Sequence, residues 1–176
     1  AQITKVCAGI ADVSQSMIEI KSQPHFYDGI TTKEIDEITL RAIVDLIDVE
    51  HNPDVGHTNY QYVAGRLITY HLRKQVYHSY EPWPLLKLVQ RNVEIGYYDR
   101  GLLEAYTEDE WNTLNGYIDH TRDENFTYVA MEQWRGKYLV QNRVTGEIYE
   151  TPQMAYLLIA ATLFQHYPKD TRLQWV

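Results

Sequence analysis

The stretch Thr31-Thr32-Lys33-Glu34-Ile35-Asp36-Glu37-Ile38-Thr39-Leu40-Arg41-Ala42-Ile43-Val44-Asp45-Leu46-Ile47 reads as one amphipathic helix, and that reading sets the class of the fold. Thr31 with Glu34 three residues on is a capping box. The hydroxyl takes a free N–H of the first turn and the carboxylate reaches back to the cap. Behind it Ile35, Ile38, Ala42, Ile43, Leu46 and Ile47 recur at spacings of three and four, which places them along one helical stripe.

Working outward, Tyr27-Asp28-Gly29 is a turn signal. Ser14 caps a preceding helix that carries Met17, Ile18 and Ile20 towards Pro24, and a first helix with Ile3, Val6, Cys7 and Ile10 ends near Gly9. On the other side, residues 51–59 form a loop broken by Pro53 and Gly56. A long helix over about 60–77 turns Val63, Leu67, Tyr70 and Val76 inward, and Pro82 and Pro84 stop the chain. The next helix, about 85–95, ends at Gly96. A second capping box, Thr107 with Glu110, opens a helix with Trp111, Leu114 and Ile118, and a helix over about 128–134 ends at Gly136. The period then changes. Tyr138-Leu139-Val140-Gln141 and Glu147-Ile148-Tyr149-Glu150 read as short strands around a tight loop, a β-hairpin over about 137–150. Thr151-Pro152 starts a last helix, towards Tyr167, that is apolar nearly all round and is expected to be buried.

The predicted fold is therefore mainly α: a helical bundle over residues 1–80, then a helical region with one β-hairpin over residues 81–176, divided near the prolines at 82 and 84. The chain opens inside a helix and closes on the apolar half-turn Leu173-Gln174-Trp175-Val176, so both ends are expected to continue into a larger assembly. Exposed apolar surface is expected near 154–164 and 173–176.

Composition narrows the function. A net charge of −8 over 176 residues disfavours coating nucleic acid, which needs a basic face against phosphates. The single cysteine, Cys7, excludes an internal disulfide and fits a cytoplasmic protein. The longest apolar run, 154–164, is too short for a membrane span of about 20 residues. No Gly-rich phosphate loop and no zinc spacing occurs. His51 and His57 share a loop but read as solvated. His71 and His78, seven apart, read as one helical face used for packing. His120-Thr121-Arg122-Asp123 superficially looks like a kinase catalytic loop, but the spacing is wrong, and Asp119, His120, Arg122 and Asp123 read as a hydrogen-bonded corner. Glu108-Asp109-Glu110 suits a helix dipole better than an acid–base pair. Arg73-Lys74 is a small basic spot on a helix. None of these names a function.

Longer strings do. Phe26-Tyr27-Asp28-Gly29-Ile30 with Thr32 resembles the middle of the ATP-cone of class I ribonucleotide reductase large subunits, and Tyr60-Gln61-Tyr62-Val63-Ala64-Gly65-Arg66-Leu67 with His71-Leu72-Arg73-Lys74 resembles the cone's last helix. Tyr97-Tyr98-Asp99, Leu102-Leu103, Tyr106-Thr107, Asp119-His120, Arg122-Asp123 and Phe126 continue the match. Lys137-Tyr138-Leu139-Val140-Gln141-Asn142-Arg143-Val144-Thr145-Gly146-Glu147-Ile148-Tyr149-Glu150 is its most specific part.

The resemblance implies an incomplete ATP-cone followed by the helical region that precedes the family's catalytic α/β barrel. In the family a cysteine thiyl radical in the barrel abstracts a hydrogen from the ribonucleoside diphosphate, a cysteine pair supplies the electrons for its reduction, a small subunit generates the radical, and ATP or dATP in the cone sets overall activity. Cys7 matches none of the family's catalytic cysteines, so no catalytic residue is assigned. The positions matching cone contacts are Thr32, Ile35 as an apolar wall, and Lys74. Asp36 departs from a position that is often histidine. ATP or dATP is thus the implied effector, with magnesium able to accompany its phosphates and no metal bound by this chain's own side chains. The implied partners are the rest of the large subunit and the small subunit, with neither nucleic acid nor membrane. The competing reading is a non-catalytic interaction module that has lost nucleotide binding and docks to the rest of the reductase.

Overall fold

A computed structural model describes residues 2–176. Among them the fold is helical: α1 (Gln2–Cys7), α2 (Gln15–Ser22), α3 (Thr32–Asp45), α4 (Tyr60–Tyr77), α5 (Leu85–Glu94), α6 (Arg100–Ala105), α7 (Glu108–Asn115), α8 (Tyr128–Gln133) and α9 (Pro152–Phe164). The chain forms two compact units. One contains the residues through His71 together with Glu124–Gln133; the other contains Leu72–Asp123 and Trp134–Val176. The prolines predicted to divide the chain lie inside the second unit, and the boundary falls within α4.

In the first unit the expected caps form. The Ser14 hydroxyl accepts from Met17 N at 3.3 Å. Thr31 accepts from Glu34 N at 3.2 Å while Glu34 Oε2 accepts from Thr31 N at 2.9 Å. The core gathers Val6, Ile18, Ile43, Leu46, Tyr60, Val63, Ala64 and Leu67. On α3 the buried positions are Thr39, Ala42 and Ile43, Leu40 and Val44 pack against the core, and Ile35 and Ile38 of the predicted stripe are only half-buried. The Tyr60 hydroxyl accepts from Ser14 N at 2.8 Å, so the ring fills the core and its polar tip is satisfied. Arg66 closes the C-terminal end of α1: its guanidinium donates to Ala8 O at 2.6 Å and Val6 O at 3.4 Å, and to Glu124 O at 3.2 Å. A cation suits carbonyls that have no helical partner. Gly65 is required here, because a Cβ on it would lie 2.0 Å from Phe126 O.

The second unit packs α5 on α6 and α7, which bury Leu85, Leu88, Val89, Leu102, Trp111 and Leu114. Helix α6 is an element the sequence reading did not assign; Asp99 caps it by accepting from Gly101 N at 2.5 Å. α7 stops at Asn115 rather than running through Ile118: beyond Gly116 the amides of Tyr117 and Ile118 bond the carbonyls three residues back, Leu114 O and Asn115 O, in a tightened end turn. The hairpin closes as expected but without four-residue strands. Gln141 and Ile148 form an antiparallel bridge, flanked by Asn142 N to Glu147 O at 2.8 Å and Tyr149 N to Val140 O at 3.0 Å. Residues Trp134–Tyr138 form a π-helical turn instead, with Leu139 N bonded to Trp134 O at 3.0 Å. The ladder cannot extend, since Val140 N donates to Glu150 Oε1 at 2.9 Å.

α9 is apolar nearly all round, but contrary to the expectation of burial it is only partly covered. Met154, Ala155, Leu157, Leu158 and Ala161 are buried, while Tyr156, Ile159 and Leu163 are more than half exposed, as is Trp175 further on. The expectation of exposed apolar surface in these two segments is met. No helix of the described residues is long and apolar enough to cross a membrane.

Candidate functional site

Thr32 and Ile35 occupy the first turn of α3, Thr32 exposed and Ile35 half-buried. That turn already carries an anion. Glu34 accepts from Thr31 N–H, from the Thr31 hydroxyl at 2.7 Å and from the Tyr27 hydroxyl at 2.8 Å. These bonds, the Thr31 amide foremost, hold its carboxyl below the usual glutamate value. Asp36 faces His71, with Oδ1 3.2 Å from His71 Nε2, and the Gln2 amide lies 3.0 Å from the same nitrogen. Lys74 belongs to the second unit, exposed in the last turn of α4.

The remaining motifs resolve into structure. His51 pairs with Asp48 at 2.7 Å, whereas His57 accepts from Asn59 N at 3.1 Å, so the two loop histidines serve different neighbours. His71 and His78 do not share a helical face: α4 ends at Tyr77, and His78 terminates it in the left-handed region at φ +56°. The 119–123 corner forms around Asp119, which pairs with Arg122 at 3.6 Å, and its hydrogen bonds involve Thr121 and Arg73, which the sequence reading did not place in the corner. Asp119 Oδ1 accepts from Thr121 N at 3.0 Å and from its hydroxyl at 2.5 Å, and Arg73 donates to His120 O at 2.5 Å. Burial, and then the charge of Arg73, push the His120 imidazole down to about 4. Glu110 closes the second capping box and pairs with Arg172 at 2.5 Å. No group of three or more His, Cys, Asp or Glu able to hold a metal occurs among the described residues.

One feature escaped the sequence reading. A cavity of about 670 Å³ opens in the second unit between the 97–102 segment, Tyr138, Val140 and α9. Glu150 lies in its wall, 4% exposed, and accepts from Val140 N and from the Tyr98 hydroxyl. Burial raises both groups above their usual values. Beside it Asn92 Nδ2 and Arg91 donate to Tyr149 O at 3.0 and 2.8 Å, and the Tyr97 and Tyr149 rings stack at 4.0 Å. Tyr98 and Glu150 are 52 residues apart, and nothing in either local pattern signals that they meet.

Residues 124–176 match the family model described as the ribonucleotide reductase all-alpha domain. The chain is 48% identical, over 99% of its length, to the ribonucleoside-diphosphate reductase subunit alpha of Haemophilus influenzae, and covers 22% of that protein. It is 51% identical over 96% of its length to the ribonucleoside-diphosphate reductase 1 subunit alpha of Escherichia coli, covering 21% of it. It is 29% identical over 92% of its length to the subunit alpha of Helicobacter pylori, covering 19% of it. The chain thus spans about a fifth of the length of these relatives.

Proposed function

Because the chain belongs to the large-subunit family of ribonucleotide reductases and corresponds to its N-terminal region, we propose that it is the regulatory and structural opening section of a cytoplasmic ribonucleoside-diphosphate reductase. The whole enzyme makes deoxyribonucleotides by a radical mechanism. This section supplies no catalytic residue: it senses ATP or dATP, magnesium accompanying the phosphates, and docks to the rest of the large subunit. Nucleotide bound here biases association with the radical-generating small subunit. That is an allosteric coupling between separate sites.

The observation that carries this reading is similarity at about half identity along nearly the whole chain, cone-like and hairpin segments alike. The nucleotide contacts are Thr32, Ile35 and Lys74. Lys74 provides a point charge for phosphate. Glu34 puts negative charge on the turn that holds Thr32, so the Thr32 hydroxyl is assigned to a polar group of the base or sugar. Ile35 offers an apolar wall. Asp36 adds a carboxylate, which His71 offsets when protonated.

Isothermal titration of ATP and of dATP into the chain, repeated with Lys74→Ala, tests the proposal. Binding that weakens at least about tenfold in the variant supports it, as expected for a charge-assisted contact. Absence of binding to the unsubstituted chain favours the second reading, a docking module without nucleotide sensing. The exposed Tyr156 of α9, the exposed Trp175 and the carboxylate of Asp36 speak for that reading.

A further inference from the structure

We propose that the cavity of the second unit binds a small organic cation, an ammonium group carried on an apolar or aromatic body. Its volume, about 670 Å³, falls in the range of small-molecule pockets. The charge of its walls is one-sided. Glu150 and Asp99 line it, His166 is the single lining side chain able to carry a positive charge, and no lysine or arginine contributes among the described residues. The body of the cavity is apolar, from Leu158, Ile159 and Leu163 of α9.

Glu150 is the group that points to a cation. It is 4% exposed, yet both of its donors, the Val140 amide and the Tyr98 hydroxyl, are neutral. A carboxylate has about four acceptor positions, and these donors use two of them. A buried carboxylate gains most from a partner that is itself charged. Burial already pushes the Glu150 carboxyl up, the direction a neighbouring ammonium would reverse. Tyr98 and Tyr138 add aromatic rings to the same walls. An aromatic face attracts an ammonium through its quadrupole, most strongly where water is excluded. Carboxylate, tyrosine rings and an apolar slot together select a cation with a greasy body over an anion of the same shape.

The test titrates phenethylammonium into the chain, followed by NMR, with phenylacetate as the size-matched anion. Two variants accompany it. Glu150→Gln removes the charge and keeps the shape; Ile159→Trp fills the cavity from an exposed position on α9. The expected result is saturable binding of phenethylammonium, at least about tenfold weaker binding of phenylacetate, a loss of about tenfold in Glu150→Gln, and no binding in Ile159→Trp. Circular dichroism checks the fold of each variant, and Ile159→Trp decides if Glu150→Gln fails to fold. Equal affinity for the anion, unchanged affinity in either folded variant, or no binding of phenethylammonium would overturn the proposal.

Discussion

The two units dispose of their buried polar groups in opposite ways. In the first, Ser22, Thr39 and Thr69 are buried, and each hydroxyl bonds the carbonyl four residues back in its own helix: Ile18 O, Ile35 O and Gly65 O. In the second, Arg73, Asn92, Glu150 and Arg172 are buried, and their partners are remote in sequence. Arg172 meets Glu110 62 residues away, Asn92 meets Tyr149 57 away, and Tyr98 meets Glu150 52 away. A hydroxyl turned onto its own helix is satisfied as soon as the helix forms. A buried guanidinium is satisfied only once the tertiary structure is complete, and it is expensive to strand. The first unit should therefore respond to backbone and packing changes, and the second to the loss of single polar partners.

The largest effect is expected at Arg172. Its side chain is 3% exposed, pairs with Glu110 at 2.5 Å and lies 4.3 Å from the Tyr106 ring. Arg172→Ala leaves Glu110 without its ion and opens a void, which should cost about 3–5 kcal/mol in urea unfolding. Replacing both partners together, Arg172→Met with Glu110→Leu, should recover most of that loss. A single-variant cost below about 1 kcal/mol would erase the distinction between the units.

Gly65 gives the matching test of the first unit. In an open helix, Gly→Ala gains about 1 kcal/mol. Here the new methyl meets the Phe126 carbonyl at 2.0 Å, and that partner is backbone. Gly65→Ala should therefore destabilise by about 3 kcal/mol through forced displacement. A variant more stable than the parent would show that the close approach does not exist in solution.

The same contrast explains what could be read in advance. Both capping boxes, the Ser14 cap, the bounds of α4 and the glycine stop after α5 depend on residues within a few positions of each other, and they form where the pattern put them. The hairpin strands were misread because a distant side chain intervenes. Tyr138–Gln141 alternates like a strand, but Trp134–Tyr138 winds into a π-helical turn and Glu150 takes the Val140 backbone amide, so the ladder shrinks to one bridge. α6 carried a usable signal in Asp99 ahead of Leu102-Leu103. The cavity carried none, since it depends on Glu150 coming to Tyr98. Of the resemblance-derived contacts, Thr32 and Ile35 share one helical turn, a local fact that the periodicity contains. His78 was misplaced because a left-handed residue without glycine leaves no mark in the pattern.

Acid should separate the units further. His120 is held neutral by burial and by Arg73, down to about 4 from an ordinary 6.5. A base with a depressed folded value takes up its proton more readily when unfolded, so stability falls as pH drops from about 6.5 towards 4. The residue is partly exposed, and after discounting for solvent the loss should be on the order of 1–2 kcal/mol. Glu110, held low chiefly by Arg172, adds its own loss below its ordinary 4.5. In His120→Gln the upper part of this decline should disappear from denaturation midpoints measured at pH 7, 5.5 and 4.

The smallest effect belongs to the cap that opens the decisive helix. Thr31→Ala removes the acceptor for Glu34 N and the hydroxyl donor to the Glu34 carboxylate, while the backbone N–H of residue 31 still donates to it, all at an exposed helix end. Caps of this kind contribute about 0.5–1 kcal/mol when solvent can replace the lost bonds. The loss should also let the Glu34 carboxyl rise part of the way towards its ordinary value, which NMR titration reads directly; the backbone amide of residue 31, the largest cause of the lowering, and the Tyr27 hydroxyl still donate to it. A cost far above 1 kcal/mol would mean that α3 is nucleated at its cap rather than held by the core that Ile43 and Leu46 enter. The first unit would then depend on one polar contact as heavily as the second does.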